Sequence, residues 1–107
     1  MNVGTIKLLW ISAEHWAENQ WTPDDDIVDI KVTLQDETCW IATVCSFQHV
    51  NTLKLKWSES GECLSGRYLW AANLILAADT SRSTIETMLQ NLLVNDEFRY
   101  ALAPVES

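Results

Sequence analysis

Tyr68-Leu69-Trp70-Ala71-Ala72-Asn73-Leu74-Ile75-Leu76-Ala77-Ala78 is an apolar run broken only by Asn73. It reads as a long buried strand. A short polar turn follows, and then Ile85, Met88, Leu89, Leu92 and Leu93 recur at i, i+3, i+4, i+7 and i+8. That spacing predicts a helix over about 84–94 with one apolar stripe laid on an apolar surface. Ser83-Thr84-Ile85-Glu86 fits a capping box, in which Ser83 accepts from the Glu86 N–H and the Glu86 carboxylate reaches back. A strand and a helix that each need an apolar partner imply a sheet with a helix on it. The remaining chain supplies the other strands.

Upstream, residues 27–34 alternate cleanly. Val28, Ile30, Val32 and Leu34 interleave with Asp29, Lys31 and Thr33, as in an antiparallel sheet with one wet face. Gln35-Asp36-Glu37-Thr38 turns the chain without an Asn-Gly or Asp-Gly signature. Residues 39–47, Cys-Trp-Ile-Ala-Thr-Val-Cys-Ser-Phe, return as a strand rich in β-formers. Residues 3–12 form the first strand, with Ile6, Leu8 and Trp10 on one face and Thr5, Lys7, Leu9 and Ile11 on the other.

Residues 48–57 fit two patterns. Val50, Leu53 and Trp57 suit a helix, whereas Leu53, Leu55 and Trp57 alternating with Lys54 and Lys56 suit a strand. The helix is favoured because Gln48-His49-Val50-Asn51 opens a strand poorly. Residues 58–66 read as a loop with Gly61 and Gly66 as turn points. The tail from Arg99 is expected to pack Tyr100 and Leu102 and to fray after Pro104. The order is β-β-β-(α)-β-α. The fold class is α+β: an antiparallel sheet of about four strands with one or two helices packed on one face.

The 107 residues, 48% of them hydrophobic, suit one domain with a packed core. Fifteen acids against seven bases give a net charge of −8. Too few cations are present to displace counterions from a nucleic-acid backbone or to hold an anionic membrane. A basic protein partner is favoured instead. The charge is uneven: residues 1–53 carry eight acids and two bases, residues 54–107 seven acids and five bases. Cys39, Cys45 and Cys63 are odd in number and lack C-x-x-C spacing, which argues for a reducing compartment. No segment approaches the ~20 apolar residues of a membrane span, and the N-terminus lacks a basic n-region. A cytoplasmic location is expected.

No spacing assembles a reaction. Cys39, Cys45, His49 and Cys63 lack the paired short intervals of structural zinc sites. A thiol nucleophile served by His49 would sit in an acidic neighbourhood that raises its pKa. Asp24-Asp25-Asp26 lacks calcium-loop spacing and reads as a solvated loop or a partner-facing patch. Trp16 and Trp21 flank that stretch, either as lids folded on the core or as interface anchors. Trp40, Trp57 and Trp70 lie on apolar patterns and are assigned to the core. No cofactor or metal is implied.

The strand 27–34, its return 39–47, the Ser58–Gly66 loop with Gly61-Glu62 and Ser65-Gly66-Arg67-Tyr68, the strand 70–79 and the helix 83–94 cover about three quarters of the chain. In size, acidity and layout this resembles small bacterial immunity proteins, the cytoplasmic antidotes of contact-dependent growth inhibition and related polymorphic toxin systems. The resemblance implies a non-catalytic inhibitor that binds a toxin domain, often a basic nuclease, and blocks it. The expected contact surface is the 14–26 loop with the turn at 36–37: Glu14, Trp16, Glu18, Trp21, Asp24, Asp25, Asp26, Asp36 and Glu37. The competing expectation is a small structural or adaptor subunit, homodimeric through a strand edge.

Overall fold

The computed structural model describes residues 5–105. Strand β2 (Ile27–Leu34) buries Val28, Ile30, Val32 and Leu34 and turns Asp29 and Lys31 to the opposite face. Strand β3 (Cys39–Ser46) returns antiparallel, with Val28 opposite Val44 and Ile30 opposite Ala42. Their connection is closed by Glu37 N donating to Leu34 O and Leu34 N donating to Thr38 O. Glu37 holds φ at 70°, a left-handed position that usually falls to Gly or Asn. The Asp36 carboxylate accepts from Thr38 N and completes the turn.

Strand β1 (Ile6–Ile11) lies antiparallel beside β2. Of the strand expected over 3–12, Val3 and Gly4 lie outside the described residues. The faces of β1 correct the expectation. The register steps from Ile6 opposite Leu34 to Leu8 opposite Thr33, which places one extra residue in a β-bulge. Because side chains alternate with period two, that residue flips everything beyond it. Ile6, Leu9 and Ile11 therefore meet the core, while Leu8 and Trp10 emerge on the other face.

The ambiguous stretch is helical. Helix α1 (Phe47–Ser60) begins where Ser46 Oγ accepts from His49 N and ends at Gly61, whose φ is 85°. None of its side chains is fully buried; His49, Val50, Leu53 and Trp57 are half-buried. The loop expected over 58–66 is partly helical. Segment α2 (Glu62–Gly66) is a turn in which Cys63, Leu64 and Ser65 take φ of 50, 53 and 61°. Left-handed backbone costs about 1–2 kcal/mol per non-glycine residue, so contacts with α1 must hold this turn.

Strand β4 (Leu74–Ala77) is shorter than the apolar run around it. Asn73 is left-handed, with φ of 53°. Its Nδ2 donates to Ala101 O, and its own carbonyl accepts from Thr43 N. The residues before it therefore stay outside the sheet, and Trp70, expected in the core, is 76% exposed. After the α1 crossover, β4 joins β3 in parallel, from Thr43 opposite Leu74 to Ser46 opposite Ala77. Strand β5 (Ala103–Pro104) pairs antiparallel with Trp40 and Ile41, on the same side of β3 as β4. Val105 N then donates to Cys39 O, so the chain is still held one residue past Pro104.

Helix α3 (Arg82–Val94) starts two residues earlier than expected. Ser81, not Ser83, is its cap and accepts from Thr84 N. Asp79 fixes Ser81 by accepting from both its N–H and its hydroxyl, which displaces the expected capping box. Ile85, Leu89 and Leu93 are fully buried and Met88 and Leu92 partly so, in one cluster with the inner side chains of the sheet. Each full burial is worth roughly 1.5–3 kcal/mol before entropy. Helix α4 (Phe98–Ala101) buries Phe98, on which Trp40 packs edge-on at 5.5 Å. Tyr100, expected to pack, is exposed, because two helical steps carry it to the far side from Phe98. Leu102 is buried as expected.

The fold is α+β: an open five-stranded sheet in the order β1-β2-β3-β4, with β5 beside β3. Helices α3 and α4 close one face. Over β1, β2 and β3 the other face exposes Leu8, Trp10 and Ile41.

Candidate interaction surface

The acidic connection from β1 to β2 is tied to the body of the protein through the side chains of Ser12, Glu14, Trp21 and Asp25. The 3-10 turn Ser12–His15 follows β1, and its Glu14 receives Arg82 Nε at 2.7 Å and Arg82 Nη2 at 2.6 Å. The same Nη2 donates to Leu9 O at 2.7 Å. The hydrogen bond from Arg82 holds the Glu14 carboxyl below its ordinary range, and Glu14 in turn raises Arg82.

Asp25 accepts from Thr52 Oγ1 at 3.0 Å and lies 2.8 Å from His49 Nδ1, which joins the loop to the first turns of α1. These two hydrogen bonds lower its pKa, that from His49 most. Asp26 accepts from Thr22 N and Ile27 N, and its own N–H donates to Ser46 Oγ. Ser46 thus serves the loop and the α1 cap together.

The two tryptophans of this loop divide. Trp21 is half-buried against the core and donates from Nε1 to Thr80 Oγ1 at 3.0 Å, which makes it a lid. Trp16 is exposed, as are Glu18 and Asp24, and no side-chain hydrogen bond is recorded for these three among the described residues. At the other end of β2, Asp36 is engaged with Thr38, which lowers its pKa, and Glu37 pairs with Lys7. Nine steps of extended chain separate Asp26 from Gln35, roughly 30 Å. The nine residues expected to form one contact surface therefore lie in two groups at opposite ends of β2, and only Trp16, Glu18 and Asp24 present free side chains.

Among the described residues, no Cys or Ser side chain is hydrogen-bonded to the His49 ring of the Asp25–His49 pair. Cys45 is fully buried and its thiol donates to Ser46 O. Burial pushes that thiol up, and the charges of Asp25 and Asp26 push it further, so it stays protonated. Among the described residues, no three His, Cys, Asp or Glu side chains gather as a metal would need.

The feature hidden from sequence reasoning is the open sheet face. It forms a concavity of about 740 Å³ between Leu8, Trp10 and Ile41, with Asp29, Lys31 and Thr43 on its floor. Leu8 is 64%, Ile41 46% and Trp10 44% exposed. Trp10 stacks on His15 at 5.4 Å, which joins this face to the turn that carries Glu14 and leads to Trp16. Thr43 Oγ1 donates to Asp29 and orients that carboxylate. Its signal in the chain is that both alternating faces of β1 carry large apolar residues, Leu8 and Trp10 on one and Leu9 and Ile11 on the other, and the bulge that decides between them leaves no mark in the residue pattern.

Fold and site define an α+β domain with one helix-covered and one open sheet face. Comparison with protein-family models, with curated proteins and with solved structures gives no match. No helix among the described residues is long and apolar enough to cross a membrane.

Proposed function

We propose that this chain is a non-catalytic immunity protein that binds a net-basic toxin domain, such as a nuclease, and occludes it. The observation that carries the reading is the open sheet face, where Leu8, Trp10 and Ile41 stay exposed around Asp29 in a chain of net charge −8. An apolar centre supplies the anchors of an interface, and the net charge steers a cationic partner onto it. Glu18 and Asp24, exposed on the connection between β1 and β2, add to the acidic field. The inhibitor works in the reducing cytoplasm, in keeping with three free cysteines.

The reading expects a neighbouring open reading frame for a large secreted protein with a basic C-terminal domain. Co-expression with that domain tests it: the wild-type chain restores growth, Leu8→Asp abolishes protection, and added salt slows association. Growth arrest undiminished by the wild-type chain overturns the proposal. A second reading, an adaptor subunit paired with its own copy, draws on the outer edge of β4, which is unpaired among the described residues. Sizing of the purified chain separates the two, because a monomer removes the second.

A further inference from the structure

We propose that the outer edge of β4 and the groove between β4 and α3 accept an extended segment of a net-basic protein, which adds to the sheet as a further strand. The inference goes beyond the inhibitor reading and holds whichever protein supplies the segment.

Backbone chemistry comes first. In the parallel ladder Thr43 N donates to Asn73 O, and Thr43 lies opposite Leu74. The alternation of such a ladder turns the main-chain groups of Ile75 and Ala77 toward β3 and those of Leu74 and Leu76 outward. Among the described residues nothing pairs with that outward row. The opposite edge of the sheet is different: on β1, Arg82 occupies Leu9 O and is itself held by Glu14. Natural edges are usually protected by a charge, a proline or a cover. Leu74-Ile75-Leu76-Ala77 has no charge and no proline.

Space comes second. A concavity of about 510 Å³ lies beside this edge, with Phe47 and Leu76 at one wall and Thr84, Thr87, Met88 and Asn91 of α3 at the other. Phe47 is 59% and Leu76 45% exposed on the first wall, and Thr87 and Asn91 are exposed on the second, so both walls stand open to solvent. An added strand lies ≈ 4.8 Å from its neighbour and presents alternate side chains to opposite faces. One set would meet the Met88 thioether and the Thr84 and Thr87 methyls, the other Leu76 and Phe47. This is strand addition with side-chain selection in a strand–helix groove.

Charge decides the occupant. The groove lining is neutral, while the chain carries −8. A second copy would bring another −8 against a four-residue edge, and like net charge opposes that pairing. A segment of small β-branched residues flanked by lysine, from a protein of opposite charge, meets both requirements.

The probe is a capped hexapeptide of alternating valine and threonine between two lysines, titrated into the 107-residue chain and followed by amide NMR. Binding is expected to shift and slow the exchange of the Leu74 and Leu76 amides. Methylating the peptide nitrogens that face β4 is expected to weaken binding at least about tenfold, since two inter-strand hydrogen bonds are lost. Thr87→Trp, on an exposed position of α3, fills the groove and is expected to abolish binding while the fold persists. Three results overturn the proposal: no shift at these amides, shifts confined to Leu8, Trp10 and Ile41, or undiminished affinity of the methylated peptide. A β4-paired homodimer in sizing, broken by Leu76→Lys, also overturns it and assigns the edge to a second copy.

Discussion

Arg82 at the start of α3 grips Glu14 with two hydrogen bonds and caps Leu9 O at the edge of β1 with a third contact. One guanidinium thereby fixes the acidic loop, the helix start and the sheet edge. Arg82→Met is expected to cost about 1 kcal/mol, the upper end for a solvent-screened pair, and to raise self-association through the uncovered edge. Glu14 is held below the ordinary glutamate range by Arg82. A depressed carboxyl contributes stability above its unfolded pKa, and that contribution is lost as pH falls through the folded value. The urea-midpoint difference between wild type and Arg82→Met should therefore be full at neutral pH and shrink below about pH 4. A difference independent of pH would assign the effect to packing alone.

Gly66 is constrained twice. Its φ is 84°, and a Cβ placed on it would lie 2.5 Å from Lys54 O. Gly66→Ala is expected to cost about 1–2 kcal/mol for the left-handed backbone alone, and more for the displaced helix. Because α1 and α2 bury no side chain fully, the damage should stay local. Protease cleavage between residues 60 and 67 should accelerate, while the amides of β2 and β3 keep their protection. Loss of protection across β2 would contradict this division of the molecule.

These two residues also mark what the chain discloses in advance. Gly66 is visible as a turn point, and Arg82 is not visible as a clamp, because its partner lies 68 residues away. The alternation in β2 and the stripe Ile85, Leu89, Leu93 are local and strong, so the α+β class and the main core are legible. The bulge in β1 is invisible, since Leu8 and Leu9 are equally good on either face, and a register slip of one residue decides which is buried. Asn73 interrupts the run 68–78 in plain view, yet only its bond to Ala101 O and its left-handed φ show that the strand begins there. The acidic loop looks like a patch because charge is easy to count. Asp26 is occupied by main-chain N–H groups of its own loop, whereas the partners of Asp25 and Glu14 (His49, Thr52 and Arg82) are tertiary neighbours that charge counting does not reveal.

Leu89 is fully buried at the centre of the α3 stripe. Truncating such a side chain costs about 2–5 kcal/mol, and an unpaired carboxylate costs more. Total stability of a small domain is only about 5–15 kcal/mol. Leu89→Asp is expected to abolish the cooperative thermal transition. Val94→Asp, at an exposed position of the same helix, should leave it within a few degrees. A Leu89→Asp protein that melts like wild type would refute the placement of α3 on the sheet.

Asp25 joins the loop to α1 through His49 and Thr52, and its carboxyl is held low by both. Its titration, read from its side-chain carbon shift, is expected below the ordinary aspartate range of about 3.9. His49→Phe should move it upward most and Thr52→Val less, because the hydrogen bond from His49 has the larger effect. The amides at the start of α1 should exchange faster in Asp25→Asn. An Asp25 titration unmoved by His49→Phe would mean that the loop and helix are held together elsewhere.

Trp21 and Trp10 test whether an aromatic serves the fold or a partner. Trp21 Nε1 donates to Thr80 Oγ1, and Thr80 is fully buried and bonded in turn to Pro23 O. Trp21→Leu removes a hydrogen bond and part of the core lid, so a loss of about 2–3 kcal/mol is expected in urea denaturation. Trp10 stacks on His15, is 44% exposed and lies on the open face, away from the helix-covered core. Trp10→Ala should change stability by less than about 0.5 kcal/mol. On the proposed reading its cost should appear instead in affinity for a basic partner, where a central tryptophan is typically worth 2 kcal/mol or more, about thirtyfold. Equal destabilisation by the two substitutions would make Trp10 part of the scaffold and withdraw the open face as the docking surface.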